Sequence, residues 1–402
     1  MTQATSMAPA ATRPGPDRFV VGLALAGLVV LGGLVWLETA PFLLALLAVS
    51  AVLGVALYHG AFGFTAGWRN LVTKKRGAGM RAQLMLFALA ALIMIPILGS
   101  GRDDVIGAVA PVGTSLVVGS FIFGIGMQLG GGCGSGTLFT VGAGNLRMMV
   151  TLLFFIVGAV LGSIHLPWWL DLPAVDPISL IDWVGVPGAI AVQWLGLGAV
   201  ALWVNRVERR AHGSLERTEL RLRPAEGSVA KALFTGRWPF LWAIIVLAVG
   251  NALTLVIGGS PWGITFAFNL WGAKVLQGLG VDMGQFEFWN WAYPAQALAD
   301  SVLVNIPSVM NFGLLLGAML AAGMARRFNE ASRQTPRGRP FLAAVVGGLL
   351  LGYGARLAFG CNIGALFSGL ASASVHAWIW FACAFAGSMI GIRLRPCFRL
   401  PN

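Results

Sequence analysis

The stretch VGSFIFGIGMQLGGGCGSGTLF, from Val118 to Phe139, aligns without gaps onto VGGLLLGYGARLAFGCNIGALF, from Val346 to Phe367, and ten of the twenty-two positions are identical. Chance likeness between two greasy helices would match Leu and Val. The shared positions instead include Gly124 with Gly352, Gly126 with Gly354, Gly132 with Gly360, Cys133 with Cys361 and Gly136 with Gly364. A common GxG and a common GCxxG at fixed spacing point to an internal duplication.

Around these copies the chain reads as lipid-soluble. Of 402 residues, 57% are apolar and 10% charged, whereas soluble domains carry roughly a quarter charged residues. Fifty-five glycines are too many for ordinary helices in water. In lipid, glycine lets helix backbones approach closely and lets the chain break at depth. The fold class that follows is an all-α polytopic membrane protein.

The net charge of +12 is read by position. Nucleic-acid binding would gather basic residues on a folded aqueous surface; here they fall in short polar breaks between apolar runs. One cluster holds Arg69, Lys74, Lys75, Arg76 and Arg81. A second holds Arg206, Arg209, Arg210, Arg217, Arg221, Arg223, Lys231 and Arg237. A third holds Arg326, Arg327, Arg333, Arg337 and Arg339, and the tail adds Arg393, Arg395 and Arg399. That is the pattern of cytoplasmic loops, and nucleic acid is set aside as a partner in favour of the bilayer.

Ten apolar runs are long enough to cross ~30 Å of hydrocarbon as helices: Phe19 to Leu37, Phe42 to Tyr58, Gln83 to Leu98, Val112 to Gly131, Met148 to His165, Gly188 to Val204, Trp238 to Ile257, Val302 to Gly323, Phe341 to Phe359 and His376 to Ile392. The acidic breaks hold Asp103 and Asp104, then Asp171, Asp176 and Asp182, then Asp282, Glu287 and Asp300. With basic loops inside and acidic loops outside, both termini are expected in the cytoplasm, provided that Gly263 to Val281 dips in and returns. The first run lacks a small-residue cleavage site and is expected to stay as a helix. The domains expected are a cytoplasmic tail at 1–18, a first transmembrane half at 19–204, a basic linker at 205–237, a second half at 238–392 and a basic tail at 393–402.

The first copy is entered from the acidic loop near Asp104 and the second from the basic loop near Arg339, so the two run in opposite senses. Inverted repeats with broken helices meeting at the midplane are a transporter architecture. At each break, backbone N–H groups are freed inside the membrane and must be buried in protein or line a polar cavity. Successive free N–H groups followed by a half-helix make a seat for an anion. The candidate pathway residues are therefore Gly132, Cys133, Gly134, Ser135 and Gly136, and Gly360, Cys361, Asn362 and Gly364, with Thr137 adding a donor. Lys274 lies in the segment that must dip in. An ionisable group there is a functional candidate, against the plainer alternative of snorkelling to the interface; Arg356 is a second candidate cation or a helix anchor. Asp300, Ser301, Ser308 and Asn311 form a polar string around the eighth run. Cys383 and Cys397 read as packing or incidental. Trp168 with Trp169, and Trp289 with Trp291, read as interfacial anchors. Without a CxxC or a completing histidine set no metal is implied, and no cofactor is expected.

GGGCGSG (130–136), FGCNIGALFSG (359–369), HGAFGFTAGWRNL (59–71) and SVMNFG (308–313) together resemble the YeeE/YedE family of prokaryotic membrane proteins, the sulfur transport family, from about Gly54 to Pro396. The resemblance implies an inner-membrane permease for thiosulfate or a related small sulfur-containing anion, with pseudo-twofold halves and re-entrant helices. It also implies a relay of S–H contacts along family cysteines, here Cys133 and Cys361, and in some members a small TusA-like sulfur-carrier partner. The thiosulfate-importing branch has a further cysteine in its first break, in a pattern like RFCF. Here that place reads AFGF, with Gly63, which leaves other sulfur or selenium species open. The rival class is a membrane enzyme that moves sulfur onto a cysteine. A nucleophilic thiolate needs a base or cation beside it, and no histidine is close in sequence to either thiol. Labelling from each side of the membrane should find Asp104 and Arg339 in opposite compartments; finding both in one compartment would remove the inverted arrangement.

Overall fold

Helix is the only way that apolar runs of this length satisfy their own backbone in lipid, and the computed structural model is helical almost throughout. It describes residues 15–38, 41–216, 229–330 and 337–402. Residues 1–14 of the expected tail, and Arg217, Arg221, Arg223 and Arg333 of the basic clusters, lie outside the described residues. The helices are α1 (Arg18–Leu37), α2 (Pro41–Gly60), α3 (Phe64–Lys74), α4 (Ala78–Leu98), α5 (Thr114–Gly130), α6 (Gly134–Gly142), α7 (Leu146–Leu170) and α8 (Leu180–His212). They continue with α9 (Val229–Thr235), α10 (Phe240–Gly258), α11 (Thr265–Gly278), α12 (Ala292–Ala299), α13 (Ile306–Met324), α14 (Arg339–Leu357), α15 (Ser368–Ala371) and α16 (Val375–Leu394). A two-residue antiparallel pairing of Val112–Gly113 with Ala174–Val175 is the named sheet among the described residues.

Ten segments are long and apolar enough to cross a membrane, and they correspond to the ten expected runs. The polar stretch expected from Asn205 as linker begins as a continuation of α8, which runs on to His212. A reason is visible in Glu208. Its buried carboxylate takes Arg81 at 2.6 Å and Arg76 at 3.4 Å, and also the Gly77 N–H, so the helix end is pinned to the turn before α4.

The acidic and basic connections separate to opposite ends of the bundle. At one end Ile106 N donates to Gly259 O, Ala108 N to Ser372 Oγ and Val375 N to Ile178 O. Asp104 sits there, paired with Arg102, whose hydrogen bond holds the carboxyl below its ordinary range. At the other end Asp17 N donates to Gly323 O, Trp238 N to His59 O and Asn329 N to Ala143 O.

Packing at the centre is set by glycine. α5 and α14 lie antiparallel, because Gly126 abuts Gly347 and Leu351 while Gly119 abuts Gly354 and Leu357. Each of the two also packs on a third helix through matching positions. Gly124 rests on the backbone of α16 at Ala384 and Ser388, and its counterpart Gly352 rests on the backbone of α7 at Phe155 and Ala159. Reciprocally, Gly387 of α16 meets Phe121 and Gly158 of α7 meets Leu349. No side chain separates these backbones, so dispersion contacts and small-residue approach hold the bundle where lipid supplies no hydrophobic drive.

Trp168 is 59% exposed, as an interfacial anchor would be, but Trp289 is 2% exposed and packs with Leu166, Leu270 and Phe288. Its expected role as an anchor is thereby corrected: the turn that carries it folds onto α7 and α11, and core packing takes the ring. Gly352→Val should destabilise the protein by about 1–3 kcal/mol, the usual cost of overpacking. Thermal unfolding in detergent checks this, with Gly198→Val, which meets open space, as the control. Equal melting of the two variants would contradict the close approach.

Candidate functional site

Among the described residues, helix is interrupted at 61–63, 131–133, 259–264 and 358–361. The two duplicated ones share their local form. Gly131 has φ +97° and its counterpart Phe359 has φ +59°. That left-handed step is easy for glycine and costly for Phe. One residue later, a Cβ added to Gly132 would stand 3.0 Å from Thr137 N, and one added to Gly360 would stand 2.7 Å from Ala365 N. Both breaks thus double back tightly over the helical turn that follows.

Each thiol is the N-cap of that turn. Cys133 Sγ accepts from Gly136 N at 3.4 Å and lies 3.4 Å from Ser135 Oγ, at the start of α6. Cys361 Sγ accepts from Ile363 N at 3.5 Å, at the start of a π-helical turn Asn362–Phe367 that leads into α15. A helix N-terminus carries partial positive charge and unsatisfied donors. The sulfur occupies the place where an anion would otherwise sit, and both sulfurs are free thiols.

The duplicated breaks meet. A Cβ on Gly134 would lie 2.7 Å from Cys361 Sγ and 3.6 Å from Ile264 Cγ2, and one on Gly364 would lie 3.8 Å from Gly263 Cα. Cys133 and Cys361 are 1% and 0% exposed, so the junction is within protein. Beside it, Thr137 Oγ1 and both amide atoms of Asn362 are buried without a hydrogen-bond partner among the described residues. Each unpaired buried polar atom costs of order 1–3 kcal/mol, a penalty that a polar solute in the same place would remove.

A third break joins this centre from α10. The chain leaves the acidic end at Gly259 and returns inward, where Trp262 N donates to Asn251 Oδ1 midway along α10. Ser368 Oγ donates to Trp262 O, and Asn311 Nδ2 to Ile264 O. From there α11 sets out with only 14 residues, ~21 Å at 1.5 Å per residue, short of a crossing. That length is consistent with the dip and return expected of Gly263 to Val281. The fourth break, at Gly63, is locked by Gln83 of α4, whose Nε2 donates to Gly63 O and whose Oε1 accepts from Trp68 Nε1.

Comparison with known proteins settles the family. A family model described as Sulphur transport matches residues 59–390. The chain belongs to the sulphur transport family. It is 34% identical over 167 residues to Probable transporter YedE of Escherichia coli (strain K12), a match covering 41% of this chain and 40% of that protein. It therefore spans about two fifths of the length of the curated YedE relatives. Longer matches run to two proteins named Thiosulfate transporter TsuA. That of Escherichia coli is 27% identical over 355 residues, 84% of this chain and 90% of the relative. That of Spirochaeta thermophila is 25% identical over 344 residues, 83% of this chain and 93% of the relative.

In this member of the sulphur transport family, Gly132, Cys133, Gly134, Ser135 and Gly136 come together with Gly360, Cys361, Asn362 and Gly364. Gly63 and Lys274 make their contacts elsewhere. Gly63 faces open space. Lys274 Nζ donates to Leu298 O at 2.9 Å, near the end of α12, which fits a tie between two helices. Arg356 stacks over Phe288 at 4.8 Å and, with the Asn269 amide turned, donates to its oxygen at 3.2 Å. Of the polar string, Ser308 and Asn311 are buried, whereas Asp300 is exposed.

Reading from sequence did not find Gln83, Gln128, Arg147, Asn251 or Trp262. One signal existed: Gln128 aligns with Arg356 in the duplication, a polar residue in the same place of each apolar run. Another was faint, since residues 63–74 and 263–274 share only Gly63 with Gly263, Thr65 with Thr265 and Lys74 with Lys274. Gly134→Ala should change the rate at which Cys361 reacts with a small permeant alkylating reagent by several-fold, whereas Gly63→Ala should leave it near wild type. Equal rates in the two variants would mean that the breaks do not meet.

Proposed function

We propose that the protein is a permease that imports thiosulfate or a related sulfur-containing anion through a central pathway lined by Cys133 and Cys361. The observation that carries this reading is the junction of two thiol-capped helix N-termini inside the bundle. Low local dielectric strengthens the attraction of those N-termini for an anion. A neutral thiol adds a weak S–H donor and a polarisable surface, which suits a sulfur-bearing solute better than a hard oxyanion. The unpartnered Asn362 amide and Thr137 hydroxyl supply further contacts. The longer relatives, each named as a thiosulfate transporter, support the same solute.

In this reading the two copies are inverted repeats. Reciprocal glycine contacts of α5 with α16 and of α14 with α7 support that relation, as does the antiparallel course of α5 and α14. The chain would lie in the bacterial inner membrane with both termini and the basic end in the cytoplasm. A TusA-like carrier at that end would receive the sulfur compound. Gly63, where a third thiol is expected, favours a second reading in which the solute is another sulfur or selenium species. Transport is favoured over sulfur-transfer catalysis, because the partners recorded for the two sulfurs are Ser135 and backbone N–H groups.

Uptake of radiolabelled thiosulfate into proteoliposomes tests the proposal. Cys361→Ser and Cys133→Ser should each lower the initial rate by about tenfold or more, equivalent to ~1.4 kcal/mol of lost stabilisation at the barrier. Label bound covalently to the protein with none inside the vesicles would instead support the enzyme. Uptake of a selenium analogue without uptake of thiosulfate would move the assignment to the second reading.

A further inference from the structure

The end of α5 presents a problem that two arginines and a threonine solve. The chain breaks at Gly131, so the last carbonyls of α5 have no N–H to meet in the next turn. Arg395 Nη1 donates to Gln128 O, Arg147 Nη2 donates to Leu129 O at 2.6 Å, and Thr151 Oγ1 donates to Gly130 O at 3.2 Å. Two guanidiniums are thereby set side by side on consecutive carbonyls. Arg69 joins them from α3. Gln128 Nε2 donates to Thr65 O at 3.3 Å, Arg69 is one turn beyond Thr65, and its charge is within Coulombic reach of both Arg147 and Arg395.

Capping does not use up this cluster. Arg395 is spent, because its Nε and Nη2 also donate to Pro401 O, but Arg147 Nε is buried without a partner and the Arg69 guanidinium makes no hydrogen bond among the described residues. None of the three forms an ion pair with a carboxylate among the described residues. The α5 C-terminus supplies only about half a negative charge against three positive ones. Like charges held this close call for a counter-anion. The location fits the pathway: Gly131 is exposed, a Cβ on it would stand 2.9 Å from Arg147 Nη1, and Cys133 follows two residues later.

We infer that Arg69 and Arg147, with the fixed charge of Arg395 behind them, form a second anion seat, at the basic end of the route, that takes a small free oxyanion on its way from Cys133. The identity of that anion as the transported solute rests on the proposed permease function; the binding of an oxyanion by the seat does not. A phosphate headgroup of an anionic lipid shares the chemistry, so the test separates the two sources.

Arg69→Gln is the clean variant, since it removes charge without removing a helix cap, and Arg69→Lys keeps the charge. In neutral detergent, thiosulfate or sulfate should raise the melting temperature of the wild-type protein by a few degrees beyond an ionic-strength-matched chloride control. Arg69→Gln should lose that rise and Arg69→Lys should retain most of it. The same rise in Arg69→Gln as in wild type would overturn the seat. So would an Arg69-dependent rise with phosphatidylglycerol and none with the free anions. In vesicles, Arg69→Gln should raise the half-saturating thiosulfate concentration several-fold when solute is presented to the basic end, and leave it unchanged from the other end. Wild-type vesicles that carry no thiosulfate would fail the permease reading alone, because sulfate stabilisation through Arg69 would still report the seat.

Discussion

A helix that stops inside a low-dielectric bundle leaves peptide groups without partners, and the rest of this molecule is arranged around supplying them. At Cys133 and Cys361 the supplier is a sulfur atom, a weak acceptor for the first N–H groups of the next turn. A serine or aspartate in the same place would cap more strongly and would bind those donors to itself. A thiol caps loosely, and so leaves the N-terminal field available to a solute. The weakness of the S···H–N contact is thus what turns a structural repair into a candidate binding surface.

The other interruptions are closed by firmer means, which shows the contrast. Gln83 holds the Gly63 break with its amide, and Asn251 with Ser368 holds the Trp262 turn. At the end of α5, Arg147 and Arg395 stand on carbonyls. These amides and guanidiniums are strong, directional groups, and they fix the walls. The walls in turn depend on glycine, because Gly124 and Gly352 let α16 and α7 touch the two central helices backbone to backbone. In the proposed reading, rigid surroundings with two soft caps at the centre suit a route that admits an anion without trapping it.

Much of this was legible in the residues themselves. Ten runs of apolar side chains can only be helices at that length, and the GCxxG pair marked both the breaks and their kinship. The charge of the connections predicted which ends gather, and the contacts of Ile106 with Gly259 and of Trp238 with His59 agree. Other features were not legible because tertiary packing decides them. A lone Asn or Gln in an apolar run, such as Asn251 or Gln128, does not announce its partner. Trp289 looked like an anchor because it is one of a Trp pair between Glu287 and Asp300, yet in space it packs on Leu166 and Leu270. Arg147 stands outside the basic clusters, and its role shows only in the carbonyl beneath it.

The central claim is that a sulfur-bearing anion is held where the two thiol-capped turns meet. Electron cryomicroscopy of the protein in lipid nanodiscs with saturating thiosulfate, compared with chloride alone, addresses it directly. The account predicts added density for a small anion between Cys133 and Cys361, beside the Asn362 amide. Density confined to other surfaces, with the two sulfurs packed against lipid or apolar side chains, would contradict it.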